Sequence, residues 1–285
     1  MKKINTALAA VAAAAALGML APGMAHAGEC ALVPKDSTGV ESYEPSRLLD
    51  TGKFAQVDAA LEKLHKKNLS SDGGDLLTLR TMNDLLAGRQ ENLVRMWADE
   101  RPQSFFAQLA AGIFYSDRAA NARGNRTISQ TSKDQLRQMS ALDDKSMVYL
   151  KKAMQLDPRS ALPHGMMLVI AGQEGQADGK TAEQWLQAAN QVDPKNMMAR
   201  IQAVRYFSPR WGGSYELLDQ MVQQAAKSLS AQSAHYLEYN VVLAKASHEE
   251  VIAKNKSKAH ELYKRAKGMC ENSETAQEGL VRTYQ

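Results

Sequence analysis

The sequence predicts an all-α chain of antiparallel helix pairs, and three observations carry that reading. Ala, Leu, Met, Gln and Lys dominate the composition while aromatic residues make up only 6%, which favours helix over sheet. From Ser46 onward, apolar residues recur at spacings of three and four, and no segment alternates with period two between Asn-Gly or Asp-Gly turns. The third observation is an internal repeat, described below.

The elements follow in order. Leu48, Leu49, Phe54, Val57, Leu61 and Leu64 predict a helix pair with a turn near Gly52. Leu76, Leu77, Leu79, Met82, Leu85 and Leu86 make the next apolar face, ending at Gly88. Val94, Met96 and Trp97 predict a short helix that stops before Pro102, and Phe105, Phe106, Leu109, Ile113 and Phe114 open another. Gly124 reads as a helix C-terminal residue, with a polar loop from Asn125 to Ser132 before helix resumes near Leu136.

The repeat is the most specific structural signal. Tyr149-Leu150-Lys151-Lys152-Ala153 leads to Leu156-Asp157-Pro158, and Trp185-Leu186-Gln187-Ala188-Ala189 leads to Val192-Asp193-Pro194. The offset from Asp157 to Asp193 is 36 residues, near the ~34 of tetratricopeptide units. A large residue and an alanine four apart share one helix face, where the small side chain admits the neighbouring helix. Asp-Pro then stops the helix, because the ring disfavours helical geometry in the residue before it. A weaker copy occurs at Leu262-Tyr263-Lys264-Arg265-Ala266, and Leu49 to Phe54 resembles the start of such a unit. The predicted fold is therefore a tetratricopeptide-like α-α superhelix with a concave groove, a shape suited to holding peptides or partner proteins.

Three parts are expected: a signal peptide over 1–27, an extended arm over 28–45 and one helical domain over 46–285. Lys2 and Lys3 form a positive start, Ala7 to Leu20 an apolar run, and Ala25-His26-Ala27 a small-x-small cleavage site. The run is shorter than the ~20 residues of a spanning helix, so the expectation is export to the periplasm without stable membrane insertion. In an oxidising compartment the two cysteines, Cys30 and Cys270, are expected to pair and to fasten the N-terminal arm to the C-terminal helix. The formal charge of +4 is too small and too dispersed for nucleic acid.

Chemistry-bearing clusters are scarce. No two histidines stand at i, i+4 around a glutamate, and nucleophile-elbow, phosphate-loop and dinucleotide motifs are missing. No metal, cofactor or catalytic residue is predicted. The adjacent acids Asp143-Asp144 and Glu249-Glu250 read as solvated surface, and the pairs Met166-Met167 and Met197-Met198 as core packing.

Two motifs stand out. In Ser208-Pro209-Arg210-Trp211-Gly212-Gly213-Ser214, Pro209 ends a helix, the glycines permit a tight turn and Ser214 is a candidate N-cap. The helix end and loop carrying Arg118, Arg123 and Arg126 either hold an anion or pair their arginines with acids elsewhere in the array. Two readings of Arg210 and Trp211 stay open. Either Trp211 packs between helices while Arg210 pairs with an acid, or the two form a stacking and carboxylate-binding corner for a partner chain.

The Pro-Arg-Trp-Gly-Gly-Ser turn, Glu100-Arg101-Pro102-Gln103-Ser104 and Ala122-Arg123-Gly124 together resemble an uncharacterised bacterial family. That family is a domain of unknown function found in tetratricopeptide-like helical arrays. The resemblance runs from about Leu48 to about Ala225. It implies a helical fold and, often, an exported protein, and brings no activity or catalytic residues. The sequence thus predicts a non-enzymatic scaffold that binds a protein or extended peptide, with contacts at Arg210, Trp211, Gly212, Gly213, Ser214, Arg118, Arg123 and Arg126. The alternative is an envelope enzyme whose Arg, Asp and Glu side chains converge from separate helices.

Overall fold

The computed structural model describes Leu32 and residues 39–69 and 73–284. The predicted signal peptide, Cys30 and the arm up to residue 38, Leu32 apart, lie outside these residues. Among them the chain forms α1 (Gly39–Asp50), α2 (Phe54–Asn68), α3 (Gly74–Leu86), α4 (Glu91–Glu100), α5 (Phe105–Arg123) and α6 (Lys133–Leu156). There follow α7 (Leu162–Glu174), α8 (Ala182–Val192), α9 (Met198–Tyr206), α10 (Tyr215–Ala225), α11 (Ala231–Val251), α12 (Lys256–Met269) and α13 (Glu274–Thr283). Two short 3-10 turns, Ile128–Gln130 and Pro209–Trp211, interrupt the series. Among the described residues there is no strand, so the protein is an all-α helical array.

The end of the predicted arm is instead helical. Helix α1 starts at Gly39 and carries Pro45 inside it, although an interior proline costs a helix roughly 3 kcal/mol. The physical reason is packing. Pro45, Leu48 and Leu49 fall at i, i+3 and i+4, and all three are buried. Tertiary burial on this face overrides the local penalty. The predicted turn follows at Gly52, whose φ of +69° is the left-handed conformation that glycine adopts most readily.

The repeat turns match closely in geometry. Ala153, Ala189 and Ala266 are all fully buried, and their carbonyls accept from the backbone N–H of Asp157, Asp193 and Cys270 at 3.0, 2.9 and 3.0 Å. Each of these three residues leaves the helix in extended geometry. Each then accepts from a buried residue three positions on, Ser160, Asn196 or Ser273, at 3.2, 3.1 and 3.0 Å. The weak third copy therefore makes the same turn with Cys270 in place of aspartate. Small residues set the closest helix approaches. A Cβ on Gly112 in α5 would run into the Leu150 side chain of α6, and Ser146 Oγ donates to the Gly112 carbonyl at 2.7 Å.

One contact breaks the nearest-neighbour pattern of a simple array. Asp75, in the first turn of α3, accepts through Oδ2 from the backbone N–H of Met197 and Met198 at 2.7 and 2.6 Å, where α9 begins. Its Oδ1 accepts from Leu76 N–H at 2.9 Å. A carboxylate from 122 residues earlier thus caps the positive end of α9. One continuous core runs from Leu48 to Val241, with two smaller clusters between α11, α12 and α13. The four methionines of the two pairs are all in the main core. Among the described residues no helix is long and apolar enough to cross a membrane.

Burial pushes the Asp75 carboxyl up to about 6, against the three backbone donors that favour its charged form. A carboxyl raised in the folded state favours folding below its unfolded pKa of ~3.9, and that contribution fades as pH rises through about 6. Thermal melts should therefore show wild type losing stability relative to Asp75→Asn as pH rises from 4 to 7.

Candidate arginine–tryptophan corner

Three separate elements build this site. The first is the C-terminus of α5, which ends at Gly124 with φ of +71°. Gln135, from the first turn of α6, donates through Nε2 to the carbonyls of Ala122 and Arg123 at 3.3 Å each. The same side chain completes a capping box with Ser132. Arg123 is further braced by its Nη1, which donates to the carbonyls of Gly124 at 3.2 Å and Arg126 at 3.4 Å.

The second and third elements are the end of α9 and the turn that follows it. The Ser208 carbonyl accepts from Trp211 N–H at 2.9 Å and from Gly213 N–H at 3.1 Å, while Ser208 Oγ donates to the Arg205 carbonyl at 2.7 Å. Gly212 has φ of +90°, and a Cβ on Gly213 would overlap the Phe207 carbonyl. Both glycines are thus required by the backbone. Ser214 caps α10 by accepting from Leu217 N–H at 3.1 Å, as predicted.

The turn presents Trp211, half-buried, edge-on to Tyr206 with ring centroids 5.1 Å apart. The guanidinium of Arg205 lies 4.8 Å from the indole centroid and that of Arg123 lies 5.1 Å from it. Burial and the neighbouring charges of Arg205 and Arg210 lower the Arg123 pKa. No carboxylate is in ion-pair range of Arg123, Arg205 or Arg210 among the described residues. Two guanidinium groups therefore lie on one aromatic platform with the Arg210 charge beside them, and none of the three has a counter-ion among the described residues.

The two sequence motifs meet here only in part. Arg123, Arg210 and Trp211 come together, with Gly212, Gly213 and Ser214 shaping the turn. Arg118 packs instead over Phe114 of its own helix, 4.8 Å from the ring, and Arg126 is exposed and contributes its backbone carbonyl to Arg123. The expectation that Arg210 pairs with an acid fails, because Arg210 is exposed and has no such partner among the described residues. Sequence reasoning missed Arg205. Its signal was position, three residues before Ser208 on the helix that delivers the turn.

The reading of the adjacent acids as solvated surface needs correction. Asp143 is 1% exposed, and neither of its carboxyl oxygens has a hydrogen-bond partner. Met139, Asp143, Ser146, Leu150 and Ala153 form one buried stripe of α6 at alternating spacings of four and three. Burial, then Glu174 and Asp144, push the Asp143 carboxyl up to about 8. Glu249 is also buried, accepting from Tyr215 at 2.9 Å and pairing with Lys258 at 2.7 Å. Glu250 pairs with Arg282 at 2.8 Å and accepts from Tyr263 at 2.7 Å. Among the described residues no group of three or more His, Cys, Asp or Glu is arranged to hold a metal ion.

A family model described as a domain of unknown function (DUF4034) matches residues 44–178 and 162–242, together more than two thirds of the chain. The chain belongs to the DUF4034 family. The DUF4034 match takes in all three elements of the corner and ends beside Val241, the last residue of the main core. Helices α12 and α13 lie beyond it. No curated protein matches the chain.

Trp211→Ala removes one face of the Tyr206 pair and a half-buried indole, so it should lower stability by about 1–2 kcal/mol, less than for a fully buried tryptophan. Calorimetric melts of the two proteins check this.

Proposed function

We propose that this DUF4034 protein is an exported, non-enzymatic helical scaffold that binds another protein or an extended peptide at the arginine–tryptophan corner. One observation supports the reading above the rest: Arg123 and Arg205 lie over the Trp211 ring with Arg210 as a neighbouring charge, and among the described residues no carboxylate pairs with any of the three. Leaving like charges together unpaired costs stability, which a structural role would relieve with an acid. A binding role keeps the charges open for a partner. Export and cleavage after Ala27 form part of the same proposal, resting on the Lys2-Lys3 start, the apolar run and Ala25-His26-Ala27.

The enzymatic reading has Asp143 in its favour, a buried acid that adds to burial in raising the Tyr206 pKa behind the corner. Asp143 makes no hydrogen bond to any arginine, so acid and bases do not form the convergent set that catalysis requires. The scaffold reading is the better supported.

The cystine belongs to the proposal as well. Cys270 is buried at the third repeat turn, and no described cysteine is free, while Cys30 lies outside the described residues. A Cys30–Cys270 bond would close almost the whole mature chain, worth on the order of 4–5 kcal/mol in the chain-entropy model. Alkylation of the unreduced, unfolded protein followed by intact-mass measurement should add no label, and two labels would remove the bond.

The functional test is crosslinking and capture from intact cells expressing the full chain. A dominant partner should be recovered with wild type and lost with the Arg210→Ala, Trp211→Ala double variant, whose melt confirms folding. A partner retained by that variant would move the binding site elsewhere on the array. Recovery of none would turn the reading toward a small-molecule role.

A further inference from the structure

The three arginines are not equivalent, and the difference specifies a ligand. Arg123 is half-buried and tied down: Nη1 is spent on two carbonyls, and Nε is buried without a partner. It supplies a fixed positive charge more than a free fork. Arg205 is half-buried and held over the rings of Tyr206 and Trp211 at 5.4 and 4.8 Å, yet its guanidinium makes no hydrogen bond among the described residues. Arg210, exposed on the turn, has no hydrogen bond or ion pair among them. Two guanidinium groups without a hydrogen bond therefore neighbour one braced charge.

We propose that this corner binds an acidic peptide segment through two carboxylates, one on the Arg205 fork and one on the Arg210 fork, with the segment lying against the half-exposed edge of Trp211. The inference rests on the scaffold reading above and names the chemistry of its partner. A planar guanidinium offers two parallel N–H groups that match the two oxygens of a carboxylate. The two forks sit on different elements, the end of α9 and the following 3-10 turn, so a chain bearing spaced carboxylates can engage both. Nucleic acid fits the surface poorly. Its affinity comes from neutralising many phosphates in a row, whereas the positive charge here is one local cluster on a chain of +4 overall. The aromatic platform is already covered by Arg123 and Arg205, so the ligand is recognised by its charge and not by stacking of a base.

The test uses the purified full chain and two fluorescein-labelled probes, hexaglutamate and hexaserine, followed by fluorescence anisotropy at low salt. Hexaglutamate should bind and hexaserine should not, and raising salt from 50 to 500 mM should weaken binding several-fold. Arg205→Gln and Arg210→Gln should each weaken hexaglutamate at least about tenfold, while Arg118→Gln should leave it unchanged. Arg210 is exposed and makes no side-chain hydrogen bond or ion pair among the described residues, so its variant keeps the test decisive even where Arg205→Gln melts early. Hexaglutamate binding that is missing, or that survives both glutamine variants, overturns the proposal. Displacement of hexaglutamate by inorganic phosphate at concentrations where acetate has no effect also overturns it, in favour of a phosphate site. If hexaglutamate fails while cellular capture still depends on Arg210 and Trp211, the scaffold stands and only the acidic class falls. Failure of both removes the scaffold reading with it.

Discussion

A single carboxylate links the early helices of this protein to the start of α9. Asp75 reaches from α3 to the first two free amides of α9 and satisfies backbone donors that would otherwise be buried and unpaired. Stranding such groups costs about 1–3 kcal/mol each, so the position of α9 depends strongly on this one side chain. Helix α9 in turn carries Arg205 and Tyr206 and is followed by Phe207, whose carbonyl packs so tightly on the next turn that residue 213 has no room for a side chain. The geometry of the arginine–tryptophan corner is thus a consequence of a contact made far away along the chain.

That corner illustrates how a helical array concentrates charge. Each arginine sits at the end of an element: Arg123 closes α5, Arg205 lies in the last turn of α9, and Arg210 is in the 3-10 turn beyond it. Basic residues near helix C-termini are locally favourable, because the helix dipole presents partial negative charge there. Each placement is reasonable by itself, and only stacking brings Arg123 and Arg205 to one indole. The local gains do not remove the mutual repulsion, and burial first, then the charges of Arg205 and Arg210, lower the Arg123 pKa.

The C-terminal helices obey different rules. Helices α12 and α13 pack through α11 in two small clusters, and their polar side chains form closed networks. Glu249 is satisfied by Tyr215 and Lys258, and Glu250 by Arg282 and Tyr263. These acids look on sequence much like Asp143-Asp144, yet they are fully paired where Asp143 is not. The family match ends before α12, so this closed region extends the shared core.

The sequence by itself determined what is local. Apolar spacing located the helices, the repeated alanine and the break four residues later located the turns, and glycine, serine and proline located the caps. These features depend on backbone conformations set by a few neighbouring residues, which composition and spacing express directly. The stripe through Met139, Asp143 and Ser146 was also present in the sequence, hidden because an aspartate occupied an apolar position. Tertiary structure alone decided the rest. Pro45 stays inside a helix because burial with Leu48 and Leu49 outweighs its local cost, and Asp75 finds its partners 122 residues away. The union of Arg123 with Trp211, the exclusion of Arg118 and the arrival of Arg205 depend on how helices stack. No spacing rule within one helix encodes which residue of another will face it.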